Sequence, residues 1–288
     1  MRRPAPGHVS QIVHPGPRND DRRPYRLCNA EKVSIVLPAE TSLLKSLADW
    51  ISAAGYDSAV LDLAGLTLGP FEYVMPDRAI DDRHAAWYSD TKVSAGATLS
   101  DAVAIFGKRD GHWFAHIHAY WTENGETHLG HLLPESLHVG AQSRVAGHGI
   151  RGAQFVSRPD PETEFTLFRV TGSSQNGSDL PVNALVTTLA PFEDLPTSVQ
   201  GLRETLGVAA VRVVGLGSLA GTEFTNAQPM RGLISEILLA PECRARSDGG
   251  TNLPVRCVDL NGNLHAGHLR PGSAPTLITC ELLLIADD

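Results

Sequence analysis

Two histidines, His116 and His118, stand two apart in the apolar, aromatic run Phe114-Ala-His-Ile-His-Ala-Tyr-Trp121, and His131 returns after a short polar segment. Side chains of a β-strand alternate faces, so residues i and i+2 point the same way. Between them and His131 lies Glu123-Asn-Gly-Glu126, and Asn-Gly tolerates the positive φ angles of a tight hairpin turn. The returning strand then carries His131 beside the pair. Three imidazoles converging from adjacent strands make a divalent-metal site with an open position, best suited to zinc, though nickel, iron and manganese also accept such ligands. Metal at an open position either generates hydroxide or polarises a carbonyl or carboxylate. Glu72, His84 and Tyr88 are the candidate acid–base groups, and Arg83 and Arg151 the candidate clamps for an anionic group. This reads as a metal-dependent lyase or hydrolase acting on a small, carboxylated organic substrate. The alternative is a non-catalytic, metal-binding regulatory or DNA-binding protein, which a closed fourth ligand such as His128 or a cysteine would favour.

The elements that must position these residues occur twice. Gly55-Tyr-Asp-Ser-Ala-Val-Leu-Asp-Leu63 with Gly65-Leu-Thr-Leu-Gly69 is echoed by Gly207-Val-Ala-Ala-Val-Arg-Val-Val-Gly215 with Gly217-Ser-Leu-Ala-Gly221, at one common spacing. The same spacing relates Val33-Ser-Ile-Val-Leu37 to Leu185-Val-Thr-Thr-Leu189. Between these strand candidates, Leu43, Leu47, Trp50 and Ile51, and then Val199, Leu202 and Leu206, carry a helical period. Each copy therefore opens strand–helix–strand. The hairpin repeats too: Asn124-Gly-Glu-Thr-His-Leu-Gly-His-Leu132 mirrors Asn261-Gly-Asn-Leu-His-Ala-Gly-His-Leu269. In that match His268 answers His131, while Leu253 and Val255 answer His116 and His118. The first copy alone thus keeps three histidines. It also carries extra residues in or near Pro76 to Asp110, where Asp81, Asp82, Arg83, His84, Trp87 and Tyr88 mix charge with aromatic surface, as substrate-contacting loops do.

The H-x-H pair, the short polar turn with glycine and the Gly-His-Leu that follows resemble the PPC domain (plants and prokaryotes conserved). The resemblance covers residues 33–145 and 182–286. It implies an α+β fold, each domain a mainly antiparallel sheet with flanking helices, and assembly into trimers. It also implies a metal on His116, His118 and His131. No AT-hook of the plant members is present. The expected organisation is a basic, Pro-rich arm over 1–32, a first domain with the metal site over 33–150, a linker over 151–181 and a second, degenerate domain over 182–288. A trimer-based homo-oligomer is expected from the duplicated parent.

Composition sets the outer bounds. The net charge is −8 and the apolar fraction 42%, enough for a full core and without global attraction to nucleic acid, which is expected to be an unlikely partner. One basic stretch departs from this: Arg2, Arg3, Arg18, Arg22, Arg23 and Arg26 mix with prolines, and either form a flexible arm or fold back over a site. No run is long enough to span a bilayer and no leader stands at the start, so a cytoplasmic location is expected. Cys28, Cys243, Cys257 and Cys280 lack C-x-x-C spacing and suit a reduced state. No phosphate-binding loop, G-x-G-x-x-G or G-x-S-x-G occurs. The glycines around Gly147-His-Gly-Ile-Arg-Gly152 and the polar Gly172–Ser178 segment read as connection, with His148 and Arg151 within reach of a site between the copies.

Overall fold

The structure, a computed structural model, describes residue 2, residues 4–173 and residues 180–287; the segment expected to be a flexible loop at 172–178 lies largely outside them. Helix α1 (Leu43–Ala53) starts where the Ser42 hydroxyl accepts from the Lys45 amide. Its Leu43, Leu47 and Ile51, each four apart, form one fully buried stripe, and each contributes about 1.5–3 kcal/mol on burial. Helix α2 (Leu195–Leu206) is capped by Asp194 and stopped by Gly207 at φ 76°. At that angle an L side chain is strained, so glycine ends the helix cleanly.

These two helices, 11 and 12 residues long, are the only α-helices among the described residues. The α+β class with flanking helices is therefore corrected: the chain is built mostly of antiparallel strands. Period-two patterning extends well beyond the segments quoted from sequence, and the 97–109, 112–123 and 276–286 strands are each eleven residues or longer.

In the first half the strands neighbour one another in the order 71–74, 126–132, 112–123, 97–109, 58–62, 143–151, 25–37. In the second half the order is 264–268, 254–259, 235–239, 210–219, 276–286, 184–189. Leaving out the short 71–74 strand, the two orders are the same. The 25–37 strand belongs to both sheets, pairing with 143–151 through Asn29 to Leu37 and with 184–189 through Tyr25 to Cys28. The stretch 151–173 contributes two paired strands, Ala153–Pro159 and Thr166–Gly172.

Three apolar layers result. Helix α1 packs on one face of the first sheet around Leu61, Phe106, Ile117 and Trp121. Helix α2 packs on one face of the second around Val213, Ile237, Val255 and Leu282. The opposite faces meet each other through Val103, Ile105, Leu129 and Ile150 from one sheet and Val186, Leu216, Leu238, Val258 and Leu283 from the other. Strand alternation decides which residues enter this middle layer, and the candidate histidines do. All four cysteines are unpaired and buried. No helix among the described residues is long and apolar enough to cross a membrane.

Candidate metal centre

The 112–123 and 126–132 strands form a hairpin closed by Asn124 at φ 52° and Gly125 at φ 82°, the two left-handed positions its Asn-Gly turn requires. Its register sets His131 opposite His118. Ala115, Ile117 and Ala119 point into the α1 core, so His116 and His118 face the other sheet. The three side chains offer ligand atoms that all lie within 4.8 Å of one another, with His116 Nε2 and His118 Nε2 3.1 Å apart.

The second half closes this face. His116 Nδ1 lies 2.9 Å from Glu281 Oε2, and His118 Nδ1 2.8 Å from the carbonyl oxygen of Ile237. The Ile237 carbonyl can only accept, so His118 donates from Nδ1 and presents a bare Nε2, and His116, donating from Nδ1 to the Glu281 carboxyl group, presents one too. Two lone pairs then face each other at 3.1 Å, an arrangement that calls for a cation between them. Glu236 Oε1 stands 3.8 Å from both His118 Nε2 and His131 Nδ1. Its Oε2 is buried without a hydrogen-bond partner.

Burial dominates the electrostatics. His118 is 1% exposed, and loss of water, with His116 beside it, holds it and His131 well below the ordinary imidazole range. Burial pushes Glu236 up to about 8. With both partners neutral, the short Glu236–histidine approaches are not ion pairs. The adjoining cavity has a volume of about 60 Å³, lined by Trp87, Tyr88, Phe165 and Leu277 besides His116, His118 and Glu236, with no Lys or Arg. The donor set fits a divalent metal: three converging imidazoles, two buried carboxyl groups nearby and no Lys or Arg lining the cavity.

The other residues singled out in the sequence are dispersed. Tyr88 lies on the short 87–88 strand of the inserted region, and its hydroxyl is 3.4 Å from His131 Nδ1. The residue as a whole is 38% exposed, but its phenol end is turned inward, where burial, Glu236 and Glu281 raise its pKa. His84 pairs with Asp81 and packs edge-on to Trp87. Arg83 is exposed and pairs with Glu164. Glu72 is exposed on the 71–74 strand. Arg151 binds the carbonyls of Ala54 and Gly55 and stacks on Tyr56. His148 faces Arg212 at 3.3 Å. His128 stacks on Trp121. Of the proposed acid–base and clamp groups, Tyr88 alone touches a histidine of the cluster.

The basic arm folds back. Arg22 is held by Glu162 and the Pro191 carbonyl, and His14 packs edge-on against Phe192. Arg2 pairs with Asp77 and donates to the Tyr88 carbonyl, so the arm lies over the segment that brings Tyr88 to the site.

Sequence reasoning missed Glu236, Glu281 and the Ile237 carbonyl. The available signal was a lone carboxylate inside an otherwise apolar strand, as in Leu277-Ile-Thr-Cys-Glu-Leu-Leu-Leu-Ile285. It also misread the second hairpin. His268 pairs with Pro254 there, not with Val255, because the connection is one residue longer than Asn124-Gly125. Leu253 and Val255 face the α2 core, so the structural counterparts of His116 and His118 are Asn252 and Pro254. A one-residue slip moves a strand's residues to the opposite face. The second half still lacks the triad.

No family model matches the sequence, and no curated protein matches it. Among solved structures, the chain is similar to a metal-containing protein from Archaeoglobus fulgidus (18% identity, TM-score 0.39, 50% of this chain and 96% of that one). It is also similar to a candidate DNA-binding protein from Ralstonia eutropha (18%, 0.37, 47% and 88%) and to a plant- and prokaryote-conserved (PPC) protein from Pyrococcus horikoshii (14%, 0.38, 50% and 94%). One of them is itself a PPC protein, and each covers about half of this chain. The expectation that nucleic acid is an unlikely partner is corrected, since a candidate DNA-binding protein is among them. The accompanying expectations of a small-molecule substrate and a trimer-based oligomer are withdrawn with it. A cavity of about 60 Å³ falls well short of the roughly 300–1,000 Å³ of organic-ligand sites, and the chain's own second half covers the histidine face.

Proposed function

We propose that this chain is a non-catalytic, metal-binding protein of the PPC type, regulatory in character, holding one divalent ion on His116, His118 and His131, with zinc the preferred ion. The observation that carries this reading is the pair of bare Nε2 atoms 3.1 Å apart, each fixed by a hydrogen bond at its own Nδ1. In structural zinc sites the ion ties its ligands together and contributes folding energy outright. The enclosed, mostly apolar surroundings support retention of an ion over turnover of an organic substrate.

Elemental analysis of the purified full chain tests the reading. It is expected to find one divalent ion per chain, lost in His116→Ala or His118→Ala and kept in His268→Ala. Two ions per chain, or none after incubation with zinc and desalting, would refute it. Duplex DNA is the partner class to test for the regulatory role, by titration at physiological ionic strength with the metal-loaded and metal-free chain.

A further inference from the structure

The histidines come from the first sheet, while the groups around their open side come from the second. Resting on the metal-binding reading above, we infer that Glu236 is the fourth ligand, so that the second half of the chain closes the coordination sphere and the ion joins the two sheets.

Three observations carry this. The 235–239 strand alternates, with Ile237 and Leu239 in the α2 core and Leu238 in the middle layer, so Glu236 is committed to the layer facing the histidines. Its Oε1 is 3.8 Å from one nitrogen of His118 and one of His131. Ligand atoms around a tetrahedral ion with bonds of about 2.0–2.2 Å lie roughly 3.3–3.6 Å apart, so these two approaches are within a few tenths of an ångström of ligand spacing, and the remaining movement is toward His116. Finally, Oε2 is buried with no partner, a cost of about 1–3 kcal/mol for a polar group left unsatisfied. Coordination removes that cost where the carboxylate turns to bring Oε2, alone or together with Oε1, to the ion.

Glu281 then takes a different part. It is 1% exposed and accepts from His116 Nδ1, acting through the ring as a positioning residue. No Lys or Arg lines the adjoining cavity, so no side-chain cation competes with the ion for Glu236. Among the described residues the ligand atoms within 4.8 Å of one another are those of His116, His118 and His131; neither His128 nor a cysteine joins them, and Glu236 does so by closing on His116.

Cobalt(II) replaces zinc and reports its coordination by colour. The full chain loaded with one cobalt(II) is expected to give the intense visible absorption of a four-coordinate ion, unchanged by millimolar azide, because no solvent-held position is open to exchange. Glu236→Gln is close in shape and should stay folded by circular dichroism. It is expected to bind cobalt(II) at least about tenfold more weakly, a loss already typical of removing an outer-shell partner, and to become sensitive to azide. If Glu236→Gln keeps the wild-type spectrum and affinity, Glu236 is not a ligand, although the three-histidine reading survives. If the Gln variant does not fold, the azide result on the unmodified chain decides alone: a shifted spectrum marks an open position and overturns the proposal. If the unmodified chain binds no cobalt(II), or His118→Ala binds it equally well, the metal reading fails and this inference with it.

Discussion

Removing the Glu281 carboxylate isolates one hydrogen bond at the site. Its Oε2 accepts from His116 Nδ1 at 2.9 Å, with both residues enclosed between the sheets. A hydrogen bond to a charged group contributes about 1.5–3 kcal/mol, and loss of an outer-shell partner weakens metal binding about 10–100-fold, equivalent to about 1.4–2.7 kcal/mol. The two ranges agree, so Glu281→Ala is expected to raise the zinc Kd by about 10–100-fold. Glu281→Gln keeps a neutral acceptor and should lose roughly half that free energy. Competition against a chromogenic chelator measures both, after circular dichroism has shown the variants folded. A Glu281→Ala chain with unchanged zinc affinity would refute the claim that this carboxylate fixes the His116 tautomer. So would a Gln variant weaker than the Ala one.

Three further outcomes are expected. His148 is held down at about 4 by burial, Arg212 and Lys32, in a hollow also lined by Asp62 and Asp101. Its folded pKa lies below its unfolded one, so stability present above about pH 6.5 is lost as pH falls toward 4, by about 3 kcal/mol over that window; urea titrations of His148→Gln should lose less across it than the unmodified chain, and parallel losses would count against the argument. Gly147→Ala places a Cβ 2.4 Å from the Val60 carbonyl oxygen and 2.7 Å from Leu61 Cα at φ 152°, with expected destabilisation of about 2–3 kcal/mol or more by chemical denaturation. Arg22→Ala strands Glu162, whose side chain is 1% exposed, at about 3–5 kcal/mol; adding Glu162→Met should restore much of that stability, and no recovery would place the loss elsewhere.

The local devices of the fold were legible because each is set by neighbouring residues. Asn124-Gly125 closes the hairpin, Ser42 and the leucine stripe make α1, and Gly207 stops α2. The His116–His118–His131 convergence follows from the strand period and that two-residue turn. What remained hidden depends on long-range packing. Nothing near Glu236 or Glu281 announces which sheet each faces, since a buried acid in an apolar strand reads the same whether it meets water, an arginine or a metal ligand. The register of the second hairpin was hidden for a smaller reason: the Gly-His-Leu match is strong, but one extra residue in the connection turns the preceding strand over. The helical share was overstated because two well-capped helices stand out in a sequence whose long strands carry their period more quietly.

Register also explains why a duplicated chain should hold one site and not two. The 143–151 strand takes the same place in the first sheet that 276–286 takes in the second, which sets Arg144 at the position of Glu281. The 97–109 strand likewise answers 235–239, but past its bulge Leu99 packs into the α1 core, and its buried acid, Asp101, pairs with Arg256 of the second hairpin. The first copy thus has the imidazoles and an arginine where the second has Glu281; the second has Glu236 and Glu281 and, at 252 and 254, an asparagine and a proline. Each copy supplies a different face, and only their contact assembles a complete donor set. The second hairpin meets the first copy through Arg256 on Asp101, a cation where a second site would need a ligand, so a single ion per chain is expected from the arrangement of both sheets and not from the loss of histidines alone.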